Sequence, residues 1–260
     1  MLPAPWPPWA ICHLPADSSA IPVEARAWLS LSETELRAEL ALRTAHRSRD
    51  LFARHLPDHQ VVRAPFSPLI IDGCTPPASH PHALPESGFL AGSADAPGLV
   101  STSKPLSAAA LEALADEYYH PHQAWFGARV ALKVAAHGRC LVVNASSFPS
   151  QEAAFDVDER LAPLPEIRLG AHPAHTPRRL LDTFEAAFLG YAWQVRTAPG
   201  HPAAMVPRLQ EGLDSRVHCL SVELNRALYW NETTGQPNDQ YEACRDRLAA
   251  TLGAAFSRLG

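Results

Sequence analysis

The sequence predicts a single α/β domain in which a mixed β-sheet carries helices on both faces. Short apolar runs of strand type alternate along the chain with longer segments of helical period. The 260 residues are enough for one large domain with a substantial core. Neither an internal repeat nor a break in composition marks a domain boundary. We therefore expect residues 1–260 to form one three-layer α/β/α domain.

The first half of the chain predicts three strands, one long helix and one long loop. The strands are predicted at residues 9–14, 60–63 and 69–72. Ser32 and Glu35 have the spacing of a capping box, in which each side chain bonds to the backbone of the other residue, and they begin a helix predicted over 33–55. Residues 74–104 are rich in Pro, Ser, Gly and Ala and lack periodicity, which predicts a loop that covers a site or moves.

The second half predicts four more strands and three more helices. The strands are predicted at residues 140–143, 167–169, 193–196 and 217–224. One helical region begins near Ser107 and should be interrupted at Pro121. Its apolar face is formed by Trp125, Ala128, Leu132 and Ala135. Pro177 suits the first position of a helix that continues to about Leu189. The last helix has an apolar face formed by Tyr241, Cys244, Leu248, Leu252 and Ala255.

Composition excludes several classes of protein. With 47% hydrophobic and 19% charged residues, the chain is typical of a soluble globular protein. A formal net charge of −5 argues against nucleic-acid binding, and no run reaches the ~18 apolar residues of a membrane span. Residues 1–8 lack the basic and apolar regions of a signal peptide. Five scattered cysteines without a Cys-x-x-Cys pair favour a reduced, cytoplasmic setting: Cys12, Cys74, Cys140, Cys219 and Cys244.

The most informative segment is residues 221–232, where an apolar strand ends in a polar cluster. Glu223, Asn225 and Arg226 bring a carboxylate, an amide and a guanidinium together within four residues, and Glu232 follows shortly after. Buried strands rarely end in such a cluster unless they line a site. The sequence therefore predicts a functional site at the end of this strand.

Four other segments, at residues 14–22, 67–76, 144–150 and 167–177, share their pattern with one known family in the same order. The third segment, Asn-Ala-Ser-Ser-Phe-Pro-Ser, resembles the Asp-x-His-Ser-Phe-Pro-Ser motif of N-formylglutamate amidohydrolases (deformylases). Residues 221–232 resemble the closing Glu-x-Asn-Arg motif of that family, with its Leu-Tyr pair. The resemblance implies a three-layer domain with a mixed central sheet and a phosphorylase/hydrolase-like, zinc-carboxypeptidase-like architecture.

The resemblance also implies a zinc centre whose ligands this chain does not supply. The family holds zinc through two histidines and one carboxylate, and the metal activates a water for amide hydrolysis. The first histidine position is Ala16, the carboxylate position falls at Ala45 or Arg49, and the second histidine position is Ser146. Methyl, guanidinium and hydroxyl groups do not hold zinc at neutral pH. We therefore expect no metal cofactor, with zinc as the alternative.

Other family positions are replaced as well. Asn144 stands where the family has Asp, and Cys74 and Thr75 replace an Asn-Arg pair that the resemblance places in a clamp for the substrate carboxylate. The family positions that are kept include Glu223, Tyr229 and Glu232. The resemblance implies that Glu223 is the general base of the family, and that it is vestigial in this chain. The expected substrate-binding residues are Asn225, Arg226, His175, Ser146 and Ser147. A purely structural Glu–Arg network at the strand end is an equal alternative.

The predicted function is that of a zinc-free, non-hydrolytic family member with a binding or regulatory role. Its expected partner is a small acidic amino-acid derivative or a protein such as an active paralogue, and neither a nucleic acid nor a membrane. The main alternative is an active amidohydrolase that releases formate or an acyl group from N-acyl amino acids such as N-formylglutamate. That enzyme would need relocated metal ligands, for which the candidates are His13, His46, His120 and His122. A metal-free hydrolase with Ser146 or Ser147 as nucleophile, and an interaction protein with an exposed apolar surface, are further alternatives.

Overall fold

The computed structural model describes residues 6–27, 29–70, 108–150, 164–199 and 204–260. The chain divides into two compact units. The larger unit comprises Met1–Leu14, His46–Val62 and Gly127–Gly260, and the smaller unit comprises Pro15–Ala45 and Arg63–Phe126. The single-domain organisation of residues 1–260 stays a prediction.

Six strands form the central sheet. They are β1 (Ala10–Leu14), β2 (Val61–Arg63), β3 (Cys140–Phe148), β4 (Ile167–Ala171), β5 (Val195–Pro199) and β6 (Val217–Asn225). The strand order is β2-β1-β3-β6-β4-β5. Strand β3 is parallel to both β1 and β6, whereas β4 is antiparallel to β6 and parallel to β5, so the sheet is mixed. Two further strands, β7 (Trp230–Asn231) and β8 (Gln236–Pro237), pair in an antiparallel ribbon.

Seven α-helices accompany the strands within the described residues. They are α1 (Val23–Arg26), α2 (Glu33–Arg43), α3 (Ser48–Ala53), α4 (Ala108–Leu114), α5 (His120–His137), α6 (Arg178–Gly190) and α7 (Tyr241–Ser257). The π turn Ala115–Tyr119 joins α4 to α5, and 3₁₀ turns occur at Asp58–Gln60 and Arg226–Leu228. The mixed sheet with helices on both sides confirms the predicted α/β fold class. Among the helices described, none is both long and apolar enough to cross a membrane.

The two faces of the sheet differ in chemistry because successive side chains of a strand alternate in direction. One face is apolar and forms the core of the larger unit with residues of α3, α6 and α7. Its strand residues include Leu141, Val143, Ala145, Ile167, Leu169, Val222 and Leu224. On the opposite face, polar side chains gather toward the carboxyl ends of β3 and β6. This alternation places Glu223 of β6 on the face of the sheet opposite the apolar core.

The smaller unit has an apolar core of its own. It is formed by Ala25, Leu29, Leu31, Leu36, Leu69, Ile70, Leu114, Ala115, Tyr118 and Tyr119. The predicted capping box is present at the start of α2, since the Ser32 hydroxyl accepts from the Glu35 amide and the Ser32 amide donates to the Glu35 carboxylate.

The helix predicted over 33–55 is two helices. Helix α2 ends at Arg43, and α3 begins at Ser48 after Arg47, which has a left-handed backbone with φ of 61°. The break has a clear physical reason. The Ala45 amide donates to the Ala16 carbonyl at 2.8 Å, so it does not continue the helical ladder.

The predicted interruption at Pro121 and the predicted apolar face of α5 are both wrong. Helix α5 continues through Pro121. The irregular part is the π turn Ala115–Tyr119, which lies just before α5 and Pro121, a residue that has no amide hydrogen to donate. The buried face of α5 includes Phe126, Val130 and Val134. Trp125 and Leu132 are 45% and 64% exposed, so the predicted face is offset from the buried one. Trp125 is therefore not a core residue.

The predicted strand at 69–72 is also not found in its described half. Leu69 and Ile70 are buried, but they belong to a turn in which the Ile70 amide donates to the Ser67 carbonyl at 2.9 Å. These residues are apolar because they are buried in the core of the smaller unit. A short apolar run alone does not show whether its residues form a buried strand or a buried turn. Residues 71–72 and the predicted loop 74–104, including Cys74 and Thr75, lie outside the described residues.

Candidate functional site

A row of polar side chains crosses the sheet where β3 and β6 end. Ser146 on β3, Glu223 on β6, Arg168 on β4 and Arg196 on β5 are successive neighbours in strand register. Their side chains therefore leave the same face of the sheet, and we refer to these four residues as the polar row. In open α/β sheets, ligands bind outside the carboxyl ends of parallel strands. The polar row is thus the candidate site.

Opposite charges lie beside each other in the polar row. A guanidinium nitrogen of Arg168, Nη1, lies 4.0 Å from Oε2 of Glu223. The Arg168 guanidinium lies over the Phe148 ring, 4.0 Å from its centroid, in a cation–π contact that fixes its plane. Arg168 is buried, while the Glu223 side chain is 18% exposed. Sequence reasoning missed Arg168, although a charged residue inside the apolar run at 167–169 was a usable signal.

Asn144 lies two residues before Ser146 on the same face and is only 2% exposed. Its Nδ2 donates to the carbonyl of Met205 at 2.9 Å and to that of Leu220 at 3.4 Å. Because Nδ2 is the donor, Oδ1 must be the acceptor in the 2.8 Å contact with Nδ1 of His13. His13 thus carries its proton on Nδ1 in this contact. Asn144 uses both ends of its amide within the framework.

Arg226 is 2% exposed and belongs to a buried polar network at the end of β6. Its Nε donates to the Ser147 hydroxyl at 3.1 Å, and its Nη1 lies 3.8 Å from Oε1 of Glu232. Glu232 also accepts from the amide of Ser150 at 3.1 Å and from its hydroxyl. Burial raises the pKa of nearby Tyr229 to about 12. The structure thus brings Arg226, Ser147 and Glu232 together, on the face of β3 opposite Ser146.

His175 lies at the other end of β6 from Glu223. Its Nδ1 donates to the Val217 carbonyl at 2.7 Å, and its Nε2 accepts from the Gly212 amide at 2.8 Å. Val217 begins β6 six residues before Glu223, which corresponds to about 20 Å of extended strand. The structure therefore does not bring His175 to the polar row, and both of its ring nitrogens bond to backbone groups.

Asn225 caps the 3₁₀ turn that follows β6. Its Oδ1 accepts from the Ala227 amide at 3.0 Å, and its Nδ2 donates to the Pro165 carbonyl at 3.1 Å. The side chain is largely buried, and both ends of its amide bond to backbone groups.

The positions that the resemblance assigns to zinc ligands do not fit a zinc ion. In the smaller unit, the backbones of Ala16 and Ala45 are joined by the 2.8 Å hydrogen bond described above, and both side chains are methyl groups. In the larger unit, Ser146 offers only a hydroxyl group. Arg49 donates to the Leu56 carbonyl at 3.0 Å and carries positive charge. Zinc requires imidazole, thiolate or carboxylate donors, and these side chains offer none of them.

Of the candidate relocated ligands, His13 and His46 belong to the larger unit and His120 and His122 to the smaller one. The His46 ring stacks on Trp230 with centroids 4.6 Å apart, and burial lowers the pKa of His122 to about 4. In the described part of the chain, one group of three His, Cys, Asp or Glu residues has donor atoms within 4.8 Å of one another. That group is Glu112, Asp116 and His120, so His120 belongs to it and the other three candidate histidines do not.

The mixed sheet, with its polar row at the carboxyl ends of central parallel strands, defines an α/β protein with a candidate ligand site at that edge. A family model described as N-formylglutamate amidohydrolase matches residues 10–230, which is most of the chain. The chain therefore belongs to the N-formylglutamate amidohydrolase family, as the resemblance of its motifs predicted.

Two of the solved structures that are similar to this chain match nearly all of it. The N-formylglutamate amidohydrolase from Ralstonia eutropha JMP134 superposes with a TM-score of 0.72 and 20% sequence identity, over 100% of this chain and 97% of that one. A gene product from Agrobacterium tumefaciens gives a TM-score of 0.69 and 20% identity, over 96% of this chain and 91% of that one. At this identity the likeness defines the fold alone. Among curated proteins, no significant match to the chain was found.

Proposed function

We propose that this member of the N-formylglutamate amidohydrolase family holds no zinc at the family's metal position and binds small acidic ligands instead of hydrolysing them. The observation that carries the proposal is the donor chemistry of that position. Of the three ligand positions, the first (Ala16) presents a methyl group, the second (Ala45 or Arg49) a methyl group or a guanidinium, and the third (Ser146) a hydroxyl. These side chains could not hold the metal ion that would activate a water molecule for hydrolysis.

The surroundings of Asn144 support the same proposal. A carboxylate at this position would face two carbonyl oxygens to which the amide now donates. Carboxylates only accept when ionised, so this pocket suits an amide and disfavours the acid that the family resemblance implies. The replacement of Asp by Asn is therefore accompanied by a hydrogen-bonding environment that matches it.

The polar row supports a binding role. Ser146 and Glu223 are both partly exposed and neighbour each other in register, with the cationic Arg168 beside them. A cation and an anion about 4 Å apart match a ligand that carries both a carboxylate and an N–H donor. Arg226, Ser147, Asn225 and His175 bond within the protein, so we assign them to the framework that holds the row. We also propose a cytoplasmic location and, as a second kind of partner, an active paralogue.

Binding and hydrolysis are tested on the same purified chain. We expect no formate release from N-formylglutamate, with or without added zinc chloride, and an increase in melting temperature when N-formylglutamate is added. The Arg168→Gln variant should lose most of that increase. Arg178→Gln is the matched control because Arg178 is an exposed arginine on α6, and it should behave like the wild type. An unchanged melting temperature in the wild type, or an equal increase in both variants, would contradict the binding role.

The second candidate function is an active amidohydrolase with relocated metal ligands. The observation that favours it is Glu223, which keeps the position of the family's general base and stays partly exposed in the polar row. Formate release that depends on zinc and disappears in His13→Ala or His46→Ala would establish this function in place of the first.

A further inference from the structure

Three metal-type donors lie together on the surface of the smaller unit, near the junction of α4 and α5. Glu112 belongs to α4, Asp116 to the π turn, and His120 begins α5. Their donor atoms all lie within 4.8 Å of one another, and Nε2 of His120 is 3.7 Å from Oδ1 of Asp116. Both carboxylates are exposed and the imidazole is partly buried.

The π turn explains why residues eight apart can share one face. In a regular α-helix, positions 112 and 120 would be rotated by about 80° relative to each other. A π turn accommodates one extra residue, so these positions behave as if about seven helical steps apart, which reduces the offset to about 20°. The side chains at 112, 116 and 120 therefore form one stripe. Ring contact with Tyr119, at 5.5 Å between centroids, limits the orientation of His120.

The spacing and the donor types select a class of ion. Zinc binds imidazole nitrogen and carboxylate oxygen at about 2.0–2.2 Å, which places neighbouring ligand atoms about 3.4 Å apart. The 3.7 Å separation of the His120 and Asp116 donors is close to that value, and Glu112 needs only a side-chain rotation to approach. Two carboxylates offset the charge of a divalent cation, and an imidazole favours zinc over magnesium or calcium.

We propose that Glu112, Asp116 and His120 form a surface site for a divalent cation of the zinc type, with water completing the coordination. This site uses none of the positions that the family resemblance assigns to zinc. It is independent of the proposed function, and it would give this chain a metal-dependent surface of its own. The interaction between His120 and Asp116 contributes little to stability because it lies at the surface. Binding an ion in its place would therefore cost little folding free energy.

Calorimetric titration of zinc chloride into the full-length, chelator-treated protein tests the site. We expect one saturable binding event that is weakened by more than about tenfold in His120→Ala and in Glu112→Gln. Two matched controls should bind as the wild type does. Glu117→Gln removes an exposed carboxylate from the same π turn, and His55→Ala removes an exposed histidine elsewhere. Magnesium chloride at the same concentrations should not compete.

Three results would overturn the proposal: no binding by the wild type, unchanged binding in His120→Ala, or equal competition by magnesium. All of these variants change surface side chains, and a melting curve for each checks that it folds. His13→Ala separates this site from the proposed function. Zinc that is lost in His13→Ala but kept in His120→Ala would contradict both the surface site and the zinc-free proposal, whereas the reverse pattern supports the surface site alone.

Discussion

Restoring an acid at position 144 should destabilise this protein, because Asn144 acts as a buried hydrogen-bond donor. Asn144→Asp keeps the shape of the side chain and removes the donor that now reaches the Met205 and Leu220 carbonyls. Asn144 is 2% exposed, so water cannot easily replace the lost bonds. The change removes one good and one long hydrogen bond and buries an acid. We expect a loss of about 2–5 kcal/mol in the free energy of unfolding at pH 8.

The loss should depend on pH in a defined direction. Burial beside two carbonyl oxygens raises the pKa of the introduced carboxyl above the value of about 3.9 in the unfolded chain. The folded variant then binds more protons than the unfolded one in this range, so its stability falls as pH rises. The difference from the wild type should therefore be larger at pH 8 than at pH 5.

Guanidinium denaturation at both pH values measures this effect. Asn231→Asp is the control, because the Asn231 side chain is exposed and its Oδ1 accepts from the amides of Thr233 and Thr234, as a carboxylate oxygen also can. It should cost much less. Equal stability of Asn144→Asp and the wild type at pH 8 would refute the reasoning, as would equal losses in the two variants.

Three further predictions follow from the buried polar groups. Arg226→Met leaves the Ser147 hydroxyl and the Glu232 carboxylate without their guanidinium, and should cost about 2–3 kcal/mol in a denaturant titration, whereas no measurable loss would exclude the network. Because burial lowers the pKa of His122 to about 4, the unfolded chain binds more protons between pH 6.5 and 4. As pH is lowered from 6.5 to 4, the free energy of unfolding should fall by up to about 3 kcal/mol in the wild type. The fall should be smaller in His122→Leu. Burial raises the pKa of the Cys140 and Cys244 thiols to about 12, so both should react with a thiol reagent only after unfolding, and rapid reaction in the native state would contradict their burial.

The sheet was largely predictable because its strands have strong local signals. The apolar runs that predicted β1, β3, β4 and β6 are buried in the sheet, and their order follows the predicted alternation with helices. The apolar face of α7 is buried at all five predicted positions. These elements need no long-range information, since period and residue type define them.

The errors arose where tertiary contacts override local pattern. The break after α2 depends on the Ala45 amide bonding to Ala16, a residue distant in sequence. Helix α5 contains two apolar stripes, and only packing selects the stripe with Phe126 over that with Trp125. The strand predicted at Leu69 failed because short apolar runs are also buried in turns.

The geometry of the candidate site was not predictable from the sequence. Local motifs directed attention to Glu223 and Ser146, and the pairing of β3 with β6 places these two residues side by side. Arg168 joins them only through antiparallel pairing of β4 with β6, which no local pattern encodes. His175 is separated from them because it packs at the opposite end of β6. The hydrogen bond from Arg226 to Ser147 likewise depends on side-chain positions that the sequence pattern does not give.

The central claim concerns metal content, and the most direct test is zinc analysis of protein produced in zinc-supplemented medium and then dialysed against a weak chelator. The His120→Ala variant, which lacks the proposed surface site, should retain far less than one zinc per chain, and neither this variant nor the wild type should release formate from N-formylglutamate. Stoichiometric zinc that survives in His120→Ala, but disappears together with formate release in His13→Ala, would contradict the account.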